Sequence, residues 1–298
     1  MVRIWLVVFG LLWAIAGWAN ALSQANGPHV GLAVVRTAQV EVAEALLVPG
    51  GSALRTRITN FSAFLVKHGT DYLLFDTGLG RNIGSQYAQD MPLWWRPFFR
   101  YGEAVDPAAD QLRRAGITLK RVVLSHSHWD HASGVVDFAD IPIMVSADEL
   151  ARLRAPSSGP GGTWASQVVG PGIQWETIVF DERKFMGYSH SKDIFGDGTV
   201  VLVPMPGHTP GSVGMFVTVD SGTRYFLIGD VAWTREALAQ GADKFWVAGR
   251  LVDADPPGTK QSLVQVQHRM HADPRLRVVP AHDGKAQDAL GYFPAWAP

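Results

Sequence analysis

The sequence contains no cysteine. That absence excludes disulfide staples, thiolate metal ligands and cysteine nucleophiles together. A surplus of positive charge is also lacking: 26 Lys and Arg stand against 27 Asp and Glu, for a net charge of -1. A polyanionic partner is therefore not expected, and nucleic acid least of all. Long apolar runs are scarce. The notable one, Ile4 to Trp18, follows Arg3 and precedes Ala19-Asn20-Ala21, which gives a positive n-region, an apolar h-region and an A-x-A-like cleavage site. Its length of about 15 residues falls short of the roughly 20 that cross a bilayer. The pattern predicts a signal peptide over residues 1–21, a mature chain from Leu22 that is periplasmic or secreted, and no stable membrane span after cleavage. A retained anchor is the alternative.

What is present reads as globular and turn-rich: 298 residues, 47% hydrophobic, 18% charged, with 31 glycines. From Ser62 a strand runs to a turn at His68-Gly69-Thr70, and a second strand, Tyr72 to Phe75, leads into Asp76. Asp106 is expected to cap a helix that holds Pro107 in its first turn and closes at Gly116. Arg121 to Ser125 reads as a short strand, and the chain is expected to turn helical after His131. Ile141 to Val145 is a strand, and Ser146 with Glu149 forms a capping box for a helix through Leu153. Pro156 to Gly162 is loop. Strands follow at Trp175–Phe180, Thr199–Val203, Val213–Val219 and Arg224–Ile228. Helices are expected near Thr234–Gln240 and Lys260–His271, then a last strand at Arg275–Val279. Grouped strands separated by single helices imply sheets covered by helices on their outer faces.

The chemistry concentrates in His126-Ser127-His128-Trp129-Asp130-His131, directly after an apolar strand. Residues two apart in extended backbone point the same way, so His126 and His128 can reach one cation. Where the chain turns, Asp130 and His131 can face a second. Three further donors each follow an apolar strand at a turn of small residues: His208 in Pro206-Gly207-His208-Thr209-Pro210-Gly211, Asp230 after Ile228-Gly229, and His282 in Pro280-Ala281-His282-Asp283. Imidazole and carboxylate donors suit zinc and similar first-row metals.

The HxHxDH signature, with Asp76 before it and His208, Asp230 and His282 after it, resembles the metallo-β-lactamase superfamily over about Val34 to Gly284. The resemblance implies an αββα sandwich, two mixed β-sheets flanked by helices, as one domain over residues 22–298. It further implies two divalent ions, zinc or alternatively manganese, iron or cobalt. His126, His128 and His208 would hold the first, Asp130, His131 and His282 the second, and Asp230 would join them. Asp76 resembles an aspartate that supports the metal loop without binding metal. Such a pair of ions activates water for attack on an electrophilic centre, with Asp130 placed to pass a proton to the leaving group.

Departures from the family's branches narrow the substrate. Asp230 stands where lactam-cleaving members carry Cys or Ser, and His128 where diiron relatives carry glutamate. The contexts of His208 and His282 are most similar to N-acyl homoserine lactonases, although a substrate-binding Tyr of that branch is matched here by Trp233, which can stack and donate one N–H. Phosphotriester, aryl sulfate and thioester hydrolysis stand as alternatives, and a non-catalytic metal-binding protein as an alternative of another class. The apolar run from Met91 to Tyr101, with Leu93, Trp94, Trp95, Phe98 and Phe99, reads as a lid over a small-molecule substrate with an apolar portion. It reads equally as core packing or as the interface of a homodimer.

Overall fold

The computed structural model describes residues 28–242 and 244–298, so the expected signal peptide lies outside the described residues. One sheet contains β1 (Val30–Ala43), β2 (Thr56–His68), β3 (Asp71–Phe75), β4 (Arg121–Val123), β5 (Pro142–Ser146) and β6 (Gln174–Ile178), in that spatial order. The first three are antiparallel and the rest run parallel to β3. The second sheet contains β7 (Lys192–Asp193), β8 (Val200–Pro204), β9 (Val213–Thr218), β10 (Arg224–Leu227) and β11 (Arg277–Val279), with β11 beside β10 and parallel to it.

Side-chain alternation sorts these strands into layers. Leu32 and Val34 of β1, Phe64 and Val66 of β2, and Leu73 and Phe75 of β3 pack against Leu202, Met215, Val217 and Leu227 of the other sheet. The intervening Ala33, Val35, Leu65 and Leu74 face outward onto Leu112 and Leu153 of two helices, Ala108–Arg114 and Ala147–Leu153. The outer face of the second sheet buries Val203, Phe216 and Phe226 against Leu263 and Val266 of the helix Pro256–Ala272. This is the αββα arrangement. Each such buried aliphatic or aromatic side chain contributes about 1.5–3 kcal/mol of transfer free energy.

Strand β1 has no counterpart in the sequence reading. Its first half is buried on both faces, so no alternation marks it, and a bulge between Arg36 and Ala38 breaks the register. The bulge turns Thr37 inward. Its hydroxyl donates to the Phe61 carbonyl (2.8 Å) and accepts from the Leu79 amide (2.9 Å), pinning the loop that follows Asp76.

Two helix starts differ from expectation. The helix Ala108–Arg114 is capped at Pro107, not Asp106, whose carboxylate instead accepts from Arg114 at 2.6 Å. The helix after the HxHxDH run begins at Trp129, before His131. Among the described residues no helix is long and apolar enough to cross a membrane.

The segment between β1 and β2 is tied at Glu44, whose carboxylate accepts from the Ser52 amide (3.0 Å), Arg57 (2.6 Å) and Arg55 (2.9 Å). The Ser52 amide, then Arg57 and Arg55, hold its carboxyl down at about 2, against an ordinary 4.5. A folded-state pKa below the unfolded one adds stability that is full above about pH 4.5 and is lost as pH falls through about 2. Glu44→Gln should therefore lower Tm at pH 6, and the difference from the parent should shrink steadily toward pH 2. Thermal melts across that range check this; a pH-independent difference would contradict it.

Candidate metal centre

Each donor sits just past a strand end, at one edge of the sandwich. His126, His128, Asp130 and His131 follow β4, His208 follows β8, Asp230 follows β10 and His282 follows β11. Their donor atoms fall into three overlapping groups, each within 4.8 Å: His126 with His128 and His208, His126 with His131 and Asp230, and Asp130 with His131 and His282. His208 Nε2 lies 2.8 Å from His128 Nδ1, 3.1 Å from His126 Nε2 and 3.5 Å from Asp230 Oδ2. The other carboxylate oxygen, Asp230 Oδ1, lies 3.3 Å from His131 Nε2 and 3.2 Å from His282 Nε2. Asp130 Oδ2 is 3.2 Å from His282 Nε2 and 4.0 Å from His131 Nε2.

These separations suit a metal. Tetrahedral zinc with bonds of about 2.0–2.1 Å to nitrogen or oxygen spaces its donors roughly 3.3 Å apart. Among the described residues, His131 Nε2 and Asp230 Oδ1 are buried with no hydrogen-bond partner. A buried polar atom without a partner costs free energy that an ion between them would recover.

The outward nitrogens show how the rings are held. Ser125 Oγ donates to Asp76 Oδ2 (2.8 Å) and so accepts from His126 Nδ1 (2.9 Å). His131 Nδ1 donates to Asp76 Oδ2 (2.9 Å), His208 Nδ1 to Asp253 Oδ1 (2.6 Å) and His282 Nδ1 to the Asn60 carbonyl (2.9 Å). In the neutral form of each of these four rings the lone pair would lie on Nε2, facing inward. His128 is reversed: its Nε2 accepts from Arg152 at 3.2 Å, which leaves a proton on the inward Nδ1 that a metal there would have to displace.

Electrostatically the cluster has two halves. Burial, reinforced by neighbouring positive charge, drives His126, His128 and His208 well below the usual imidazole pKa. Burial opposes charge on His131 and His282 too, but carboxylates outweigh it, Asp76 foremost for the first and Asp230 for the second, and both pKa values rise. One half thus disfavours the charged imidazole and the other favours it, and a cation would need the neutral ring in both.

Asp76 lies against the loop that carries the donors. Fully buried at φ +60°, it accepts from the Ser125 amide (2.6 Å) as well as from Ser125 Oγ and His131. In Asp76→Asn, an amide nitrogen turned toward His131 would flip that ring's tautomer and withdraw its inward lone pair. A 10- to 100-fold loss of metal affinity is expected, measured by chelator competition; unchanged affinity would contradict it.

Sequence reasoning missed other supports. Glu149, read as half of a capping box, does not reach back to Ser146; only the Ser146 hydroxyl caps, accepting from the Glu149 amide. The buried Glu149 carboxylate instead accepts from the Ser127 amide (2.7 Å) and from Thr209 Oγ1 (2.6 Å), bracing two donor loops against each other. Gly207 is required by packing: at φ +136°, a Cβ there would come within 2.1 Å of the Thr259 amide nitrogen, at the start of the helix Pro256–Ala272.

A cavity of about 230 Å³ opens onto His128, Asp130, His208, Asp230 and His282. Its walls are mainly apolar, from Val40, Leu47, Phe61, Phe99, Val247 and Leu251 among others. Trp233 lines it, but its N–H donates to Asp230 Oδ2 at 2.9 Å. The Met91–Tyr101 run divides its duties. Met91 is buried, Trp95, Phe98 and Phe99 line the cavity, and Leu93 and Trp94 are exposed.

The family model of the metallo-beta-lactamase superfamily matches residues 60–282, spanning every donor from His126 to His282. The chain belongs to the metallo-beta-lactamase superfamily. Within it, the chain is 32% identical over 205 residues to a probable metallo-hydrolase of Mycobacterium tuberculosis, covering 63% of this chain and 62% of that relative's length. It is 26% identical over 242 residues to an N-acyl homoserine lactonase of Azorhizobium caulinodans, covering 77% of this chain and 86% of the relative. Among solved folds it is similar to an N-acyl homoserine lactone hydrolase with N-hexanoyl-L-homoserine at its catalytic metal centre. That likeness has a TM-score of 0.68 at 16% identity and covers 91% of this chain and 100% of the other. As in that superfamily fold, two mixed sheets are flanked by helices.

Proposed function

We propose that this chain is an exported hydrolase that works with two divalent ions, zinc foremost, on an ester-like bond, and that its substrate is a lactone bearing an apolar acyl chain. The observation that carries the two-ion reading is the division of Asp230: Oδ2 lies 3.5 Å from His208 Nε2, while Oδ1 lies 3.3 Å from His131 Nε2 and 3.2 Å from His282 Nε2. When bound, the ions supply a water of lowered pKa and an electrophilic contact for the substrate's carbonyl.

The chain's own residues do the rest. His126, His128 and His208 would hold one ion and Asp130, His131 and His282 the other, with Asp230 between the two groups. Asp130 also borders the cavity, and burial pushes its carboxyl pKa up. From that position it would pass a proton to the oxygen that leaves as the ring opens. Trp233 contributes a flat apolar wall and spends its N–H on holding Asp230. The apolar walls take the acyl chain and exclude water from it.

The lactone assignment draws support from the apolar cavity and from the relatives named as lactonases. It is tested by a panel of lactones of several acyl lengths beside phosphotriesters, aryl sulfates and thioesters. Long-chain lactones should turn over fastest; neglect of them with rapid phosphotriester turnover would overturn the assignment. Export rests on residues 1–21, and N-terminal sequencing of the protein from the cell envelope should find Leu22 first.

A further inference from the structure

The helix Trp246–Val252 supplies Val247, Ala248, Leu251 and Val252 to the cavity wall, and it is bracketed by two buried charges. Lys244 precedes it and Asp253 ends it; Lys244 Nζ donates to Asp253 Oδ1 at 2.8 Å, with side-chain exposures of 0% and 1%. The same Oδ1 accepts from His208 Nδ1 at 2.6 Å. Backbone bonds fasten the junction further, from the Ala254 amide to the His208 carbonyl (3.0 Å) and from the Asp255 amide to the Gly207 carbonyl (2.9 Å).

We infer that Asp253, charge-balanced by Lys244, is a positioning residue that locks His208 with Nε2 toward the first ion and makes the cavity-wall helix part of the metal site's frame. A carboxylate can only accept from Nδ1, so it selects the tautomer whose free lone pair points inward. An isolated buried carboxylate would be costly, and the Lys244 ammonium, which donates to the same Oδ1 as the imidazole, offsets that cost. The wall helix cannot shift without moving the carboxylate that orients His208. The inference rests on the metal-binding reading proposed above.

Two measurements on the whole protein test it: zinc affinity of the metal-free form by competition with a chromophoric chelator, and the visible spectrum of the cobalt-loaded form. Asp253→Ala should weaken one zinc equivalent 10- to 100-fold and change the cobalt spectrum. The double variant Asp253→Asn with Lys244→Met keeps an acceptor for His208 and removes both charges together, so it guards against misfolding of the alanine variant. It should weaken the same equivalent by less than tenfold. Wild-type affinity and an unchanged cobalt spectrum in folded Asp253→Ala would overturn the inference and leave Asp253 a purely structural residue. If Asp253→Ala does not fold, a double variant with wild-type cobalt spectrum supports the inference, and one that loses the zinc equivalent outright overturns the interchange of acceptors on which it depends. Failure of the wild-type protein itself to bind zinc would instead overturn the proposed function.

Discussion

Asp230→Asn should reduce kcat/KM by roughly 10³-fold or more, about 4 kcal/mol of transition-state stabilisation. The two Asp230 oxygens each face a different group of imidazoles, so one substitution degrades both halves at once. An asparagine offers one oxygen where two are used, and its amide nitrogen would point at a ring nitrogen or at an ion. The imidazoles of His131 and His282, which Asp230 helps to charge, would also lose their shared counter-charge. The substitution should therefore cost metal as well as rate, with less than two equivalents retained after dialysis. Steady-state kinetics with metal analysis on the same sample checks both; retention of more than a tenth of the activity with two equivalents bound would contradict it.

Removing metal from the parent protein should abolish hydrolysis and lower Tm by about 10 °C or more. Ligands that bind only the folded state stabilise it by about 2.7 kcal/mol each at a hundredfold excess over Kd. In a chain of this size each kcal/mol moves Tm by roughly 2–4 °C. The structure explains why the effect should be large. Ions would satisfy His131 Nε2 and Asp230 Oδ1, which are otherwise buried without hydrogen-bond partners, and would offset repulsion among closely set ring nitrogens. Differential scanning calorimetry of chelated and reloaded protein measures this. Equal Tm values for the two forms would mean that the cluster is held together by the scaffold alone.

The donors were legible in the sequence because each follows an apolar strand at a turn, and strand ends are where distant residues meet. The layered architecture was legible because short apolar runs such as β9 and β10 are bounded by turn residues. Strand β1 was not, because burial on both faces and a bulge at Thr37 erase its period. Asp253 and Glu149 were hidden in another way. Glu149 reads as part of an N-terminal cap and Asp253 belongs to no motif, and only the tertiary fold shows that Asp253 reaches His208 and Glu149 reaches Ser127. The cavity walls come partly from the helices Glu44–Leu47 and Trp246–Val252, too short to show a helical period. Trp233 was legible as a neighbour of the site, but its N–H is directed at Asp230 and so is not available as a substitute for a phenol.

The central claim, that Asp230 joins two ions into one hydrolytic centre, is tested most directly by titrating metal-free protein with zinc while following both binding and hydrolysis. The account predicts saturation at two equivalents, with activity reaching its maximum only as the second is taken up, and with neither response in Asp230→Asn reaching the parent's endpoint. Full hydrolytic activity in the metal-free protein, or saturation of binding and activity together at a single equivalent, would contradict it.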